Sequence, residues 1–79
     1  MNIHVTYFAI LREQRGISEE ALMTSATNPA ELYHELHARH GFSLDFKWVR
    51  AAVNDDFVAM DHPLSDGDRV VFIPPVAGG

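Results

Sequence analysis

The chain has 79 residues, 47% of them hydrophobic, and a formal charge of −5 from six Lys/Arg against eleven Asp/Glu. That length bounds it to one small domain with a modest core and little room for a deep pocket, and its composition is that of a globular fold rather than a disordered segment. The acidic balance, with Lys47 as the sole lysine, argues against a nucleic-acid binder, the lack of cysteine excludes disulfides, thiolate metal sites and thiol catalysis, and no run approaches the ~18 apolar residues of a membrane span.

From the N-terminus, Met1 to Ala9 alternates. Ile3, Val5 and Tyr7 take one face and His4, Thr6 and Phe8 the other, which predicts a strand with Phe8 on the side away from the core. No basic region followed by an apolar run opens the chain, so no signal peptide is expected; with the missing cysteines this fits a cytoplasmic protein. Ile10 to Arg15 predicts a short helix stopped by Gly16. Ala21 to Thr24 is expected to return as a second strand.

Asn28-Pro29-Ala30-Glu31 is a helix start: Asn28 can cap, Pro29 suits the first helical position, and Glu31 stands where a capping-box acid belongs. Leu32 and Leu36 then share a face flanked by Tyr33 and His40, and Gly41 ends the helix, so Pro29 to His40 is expected to be one amphipathic helix. Val49 to Val53 alternates as a strand, Asn54-Asp55-Asp56 is a turn, and Phe57 to Met60 forms a short return strand. His62 to Asp68 is turn-rich, and Arg69 to Ile73 is a last, β-branched strand. This order predicts an α+β fold, a mixed sheet with one main helix packed on one face, as in a ubiquitin-like β-grasp.

Three groups are candidates for chemistry. His34, His37 and His40 lie three apart on the helix and fan over roughly 120°, which suits solvated helix surface better than one tetrahedral metal ion. Asp55, Asp56, Asp61, Asp66 and Asp68 fall in turns, where aspartate bonds locally to the backbone. No nucleophile–base arrangement or phosphate-cradling loop is visible, so the side chains alone do not describe an enzyme and no metal site is assigned. Outward apolar residues are more informative. If Val70 and Phe72 meet the helix, Val71 and Ile73 line the open face with Phe8 and Phe57, a patch large enough to mark a partner surface.

The tail IPPVAGG is a further signal. Pro74 and Pro75 end strand pairing and stiffen an extended path. Val76 and Ala77 are small, and Gly78 and Gly79 let another backbone or a nucleotide approach closely. Six residues from Pro74 reach about 20 Å, and the reactive group at the end is the Gly79 carboxylate.

The stretches FAILREQRG (Phe8 to Gly16), AAVN (Ala51 to Asn54), DHPLSDGDRVVF (Asp61 to Phe72) and PPVAGG (Pro74 to Gly79) cover about half the chain. In them it resembles the small subunits of molybdopterin synthase, sulfur carriers of the MoaD/ThiS family related to the thiamin-pathway carrier and to ubiquitin. The resemblance implies a single β-grasp domain over residues 1–79 with 74–79 as a projecting tail. It implies that an E1-like adenylating enzyme consumes ATP to activate Gly79, with no cofactor bound by the chain itself. A sulfur donor protein then converts the adenylate to a thiocarboxylate. The tail enters the large subunit of molybdopterin synthase, in a heterotetramer, and delivers sulfur to cyclic pyranopterin monophosphate. The chain would thus be the non-catalytic sulfur-donor subunit of a heteromeric enzyme. The family's apolar partner surface maps onto Phe8, Phe57 and Ile73. A carrier for thiazole synthesis or tRNA thiolation, and a ubiquitin-like modifier joined to lysines through Gly79, are the alternatives. No nucleic-acid or membrane partner is expected.

Overall fold

A computed structural model describes residues 1–75 of the chain. Five strands form one mixed sheet. In chain order the elements are β1 (Asn2–Tyr7), α1 (Ala9–Arg15), β2 (Glu19–Met23), α2 (Pro29–His40), a 3-10 turn (Phe46–Trp48), β3 (Arg50–Val53), β4 (Asp56–Val58) and β5 (Arg69–Ile73). The sheet runs β2-β1-β5-β3-β4. Only β1 and β5 pair in parallel; β1–β2, β5–β3 and β3–β4 are antiparallel. This is the α+β, β-grasp order that the sequence predicts, with the expected short helix present as α1, starting one residue early at Ala9 and stopped by Gly16, and the 3-10 turn added. Among the described residues no helix is long and apolar enough to cross a membrane.

Alternation along the strands makes the core. Ile3, Val5 and Tyr7 of β1, Val70 and Phe72 of β5, and Ala51 and Val53 of β3 are buried in one cluster with Leu32, Tyr33 and Leu36 of α2. Tyr33 joins helix to sheet: its ring meets Phe72 edge-on at 5.4 Å between centroids, and its hydroxyl donates to the Leu44 carbonyl at 2.5 Å. Tyr7 reaches past the core edge. Its hydroxyl donates to Glu20 at 2.6 Å, and Arg15 grips the same carboxylate with two bonds of 2.8 and 2.9 Å.

The helix signals act nearly as predicted. Asn28 caps α2 by accepting from the Glu31 amide at 2.8 Å. The Glu31 carboxylate does not close a capping box on Asn28; it accepts from the amide and hydroxyl of Thr27, each at 2.7 Å, one residue earlier. Gly41 ends α2 at φ 67, where a residue with a Cβ would be strained.

Every strand but β5 differs from its expected bounds: β3 starts at Arg50 rather than Val49 and β4 at Asp56 rather than Phe57, and the other differences have visible causes. β1 stops at Tyr7 rather than Ala9, because Ala9 has φ 51 and turns the chain into α1. β2 begins at Glu19, two residues before the expected Ala21, and excludes Thr24, whose hydroxyl instead accepts from the Ala26 amide and donates to Glu35. The return strand β4 ends at Val58, short of Met60, whose carbonyl is taken by the amide of Ala30 at 2.9 Å.

Candidate functional site

Register decides what the open face of the sheet carries. Thr6 pairs with Val71, Val71 with Ala52, and Ala52 with Phe57, so these four form one row across β1, β5, β3 and β4. Paired residues point to the same side of a sheet, and the neighbours of this row (Val5, Val70, Ala51 and Val53) are core residues. The row therefore faces away from α2. One row toward the strand ends, Ile73 pairs with Arg50, and the β1–β5 register carried one step past Tyr7 and Phe72 brings Phe8 opposite Ile73.

Phe8, Phe57, Val71 and Ile73 are thus on the open side, as the sequence predicts. Phe57 is 75% exposed and Phe8 46% exposed, while Val71 and Ile73 are half-buried by their neighbours. Phe8 is presented differently from the strand residues. It is the extended residue just before α1, with φ −122 and ψ 153, and its carbonyl accepts from Leu11 at 3.1 Å. Ala52, a residue the sequence reading left without a role, lies between Val71 and Phe57 and joins them into one surface. Its alternation with Ala51 and Val53 was the available signal.

Charges border this apolar strip. His4 approaches Glu19 at 3.7 Å, Arg69 pairs with Asp55 at 3.1 Å, and Arg50 flanks Ile73. The strip leads into Pro74, half-buried, and Pro75, exposed, both past the last paired residue of β5. The remaining residues assigned to the tail, Val76, Ala77, Gly78 and Gly79, lie outside the described residues.

The other candidate groups separate. His34 stacks on Phe46 at 4.8 Å, His37 lies 5.9 Å from the Tyr33 ring, and His40 lies 5.8 Å from Phe42. Burial, with Arg15 nearby, pushes the His40 pKa down, and its buried Nε2 has no hydrogen-bond partner. Tyr33, His34, His37, Asp45 and Phe46 line a shallow cleft of about 210 Å³ on the helix side, where burial, with Asp45 adding to it, raises the Tyr33 phenol to about 12. Among the described residues no group of three or more His, Cys, Asp or Glu is placed to hold a metal ion. The turn aspartates bond locally only in part: Asp68 accepts from the Ser65 amide three residues before it, but also from the Asn54 side chain, and Asp66 accepts from the amide of Asn2 at the other end of the chain.

What the geometry offers is an apolar sheet face running into a proline-stiffened strand exit. Known proteins are similar to this chain in sequence and in fold. The chain is 38% identical over 80 residues to the molybdopterin synthase sulfur carrier subunit of Escherichia coli K12, covering 98% of this chain and 99% of that one. A solved Pyrococcus furiosus chain, provisionally assigned as subunit 1 of molybdopterin converting factor, superposes with a TM-score of 0.76 at 31% identity, over 96% of this chain and 99% of its own. In the Helicobacter pylori complex of subunits 1 and 2 of molybdopterin-converting factor, the matching chain gives a TM-score of 0.69 at 28% identity with full coverage of both. The ThiS family model matches residues 5–79, and on that span, with relatives matched along nearly their whole length, the chain belongs to the ThiS family.

Proposed function

We propose that this chain is the sulfur-carrier subunit of a molybdopterin synthase. The observation that carries the reading is the continuity between the apolar row Val71–Ala52–Phe57, with Ile73 and Phe8 beside it, and the strand exit at Pro74 and Pro75. A docking face next to a stiff, donor-poor exit suits a protein that anchors by its body and delivers by its tail.

In this reading the Gly79 carboxylate is the working group. A carboxylate oxygen attacks the α-phosphorus of ATP on an E1-like activating enzyme and expels pyrophosphate. A donor protein supplies sulfur at the oxidation level of sulfide; this sulfide attacks the carbonyl carbon and displaces AMP, leaving a thiocarboxylate and releasing a proton. Activation is needed because a carboxylate has no good leaving group, whereas an acyl adenylate does. Gly78 keeps the path slim, and Val76 and Ala77 follow a narrow channel in the large subunit. Phe8, Phe57, Val71 and Ile73 bind that subunit's apolar surface. The thiocarboxylate supplies nucleophilic sulfur to cyclic pyranopterin monophosphate, consistent with a chain that has no cysteine. The site of action is the cytoplasm, where the activating enzyme finds ATP.

The test is intact mass after incubation with the activating enzyme, ATP and a sulfur source. Replacement of one oxygen by sulfur, mapped to Gly79, is expected. Deleting Gly79 should abolish both that shift and molybdopterin formation while the circular dichroism spectrum stays unchanged. An unmodified mass with no ATP consumed would sink the carrier reading, and an isopeptide link from Gly79 to a lysine would move the chain to the modifier class.

A further inference from the structure

Trp48 is the only tryptophan of the chain and is 54% exposed. The register of β3 on β5 locates it. Arg50 pairs with Ile73, the last residue of β5 before Pro74. Val49, extended at φ −89 and ψ 138, is buried, and Trp48 closes the 3-10 turn just before it. Trp48 thus lies two residues from Arg50, close to the root of the tail.

The charges around it are unusual for an acidic chain. Arg15, Arg39 and Arg69 are held in ion pairs with Glu20, Glu35 and Asp55. Lys47 and Arg50 form no ion pair among the described residues. The Lys47 Nζ instead lies 5.5 Å over the Trp48 ring, and Arg50 donates only to the backbone carbonyls of Lys47 and Val49. The tail root thus presents an indole rimmed by Lys47 and Arg50, with Asp45 behind them at the start of the turn, where it accepts from the Lys47 amide at 3.0 Å.

We propose that Trp48 and Arg50 form a second contact site for the protein that receives the tail, which covers the indole with apolar surface and meets Arg50 with a carboxylate. The inference rests on the carrier reading above. Its occupant follows from geometry and charge. A partner that receives the tail must approach Pro74, and Arg50, paired with Ile73 just before it, makes the site continuous with the apolar face. A basic partner surface would be repelled by Lys47 and Arg50, so the rim selects an acidic one. Tryptophan and arginine are also the residue types that concentrate binding energy when they become desolvated at an interface.

The test uses the full-length carrier labelled with 5-fluorotryptophan, titrated with the large subunit of molybdopterin synthase while complex formation is followed separately by size-exclusion chromatography. The single fluorine resonance should shift and lose its solvent-isotope sensitivity as the complex forms. Trp48→Ala and Arg50→Glu should each bind about tenfold or more weakly, with circular dichroism and melting temperature close to the unsubstituted protein. A complex that forms with the resonance unmoved overturns the proposal and leaves the carrier reading standing. So does a resonance that moves with the activating enzyme but not with the large subunit. No complex at all would remove both. The fluorine signal comes from unsubstituted sequence, so the result does not depend on the variants folding.

Discussion

Replacing Phe57 by alanine should separate docking from folding. Full burial of a phenylalanine side chain is worth about 1.5–3 kcal/mol. Phe57 is 75% exposed in the free chain, so its own fold holds only a quarter of that area and a covering partner gains the rest. The substitution should then cost folding under about 1 kcal/mol, and binding about 1–2 kcal/mol, a roughly 5- to 30-fold weaker complex. Phe8 supplies the control. At 46% exposed it divides its area almost evenly, so Phe8→Ala should take about 1 kcal/mol from each process. The two variants must therefore rank in opposite order: Phe57→Ala is worse for binding, Phe8→Ala worse for stability. Isothermal titration against the large subunit at one fixed salt concentration gives the first ranking, and urea unfolding followed by circular dichroism gives the second. A Phe57→Ala protein that binds like the original, or that unfolds more readily than Phe8→Ala, would refute the assignment of this row to the docking face.

Three further outcomes concern stability. Ala9 has φ 51, a left-handed conformation that costs a residue with a Cβ about 1–2 kcal/mol. Ala9→Gly relieves it and gives back about 0.5–1 kcal/mol in chain entropy, so the urea midpoint should rise modestly; a lower midpoint would mean helix α1 needs the methyl group. The Glu20 carboxyl is held at about 2 instead of 4.5, first by the hydrogen bond from Arg15 and also by that from Tyr7. A depressed carboxyl contributes stability that is complete above its unfolded value and is lost as pH falls toward the folded one. Melting temperature should therefore drop between pH 4.5 and about 2, and Glu20→Gln should flatten that drop, starting from a lower value at neutral pH; an unchanged acid slope would remove Glu20 from this role. His40 is pushed below 6.5 by burial and by Arg15, so stability should decline as pH falls below 6.5, where the unfolded chain takes up the proton first. His40→Phe keeps a ring against Phe42, removes the unpartnered Nε2, and should both abolish that decline and add about 1 kcal/mol; persistence of the decline would point to another group.

Much of this molecule is legible because the same alternation writes both sides of the sheet. Spacing alone puts Val70 and Phe72 on one face and Val71 and Ile73 on the other, since side chains in a strand have no third direction to take; which pair meets the helix was left as a condition, and the burial of Val70 and Phe72 decides it. The Asn28-Pro29 start and Gly41 stop fixed α2 for an equally local reason, the unsatisfied backbone groups at helix ends. Where the reading fell short, the cause was not local. The end of β1 depends on Ala9 adopting a positive φ, which alanine gives no sign of. The bonds of Glu31 went to Thr27 because that residue supplies both an amide and a hydroxyl donor. Ala52 was silent because its importance comes from what lies across the ladder, Val71 and Phe57, and Trp48 because its importance comes from the tail root nearby. Partner identity in a sheet requires the register, and register is a tertiary property.

An apolar row on a solvent-facing sheet carries a risk of self-association, and the way this chain contains it bears on how a carrier works. The row is only one residue deep across β5, β3 and β4, with His4 and Glu19 on one border and Arg69 and Asp55 on another. The edge strands are poor templates: β4 has three residues and begins with Asp56, and β2 begins with Glu19 and Glu20. Such a face docks only where a partner supplies matching apolar surface and leaves the charges hydrated. Under the proposed reading the chain visits an activating enzyme, leaves it, and then engages a second partner, which calls for a face of this restricted kind. A broader apolar surface would bind the first partner too durably to hand anything on, because gains in affinity appear mainly as slower dissociation. On this argument, widening the row by His4→Leu should lengthen the lifetime of each complex more than it speeds association. If stopped-flow dissociation rates were unchanged while association rose, the polar border would be acting on encounter rather than on release.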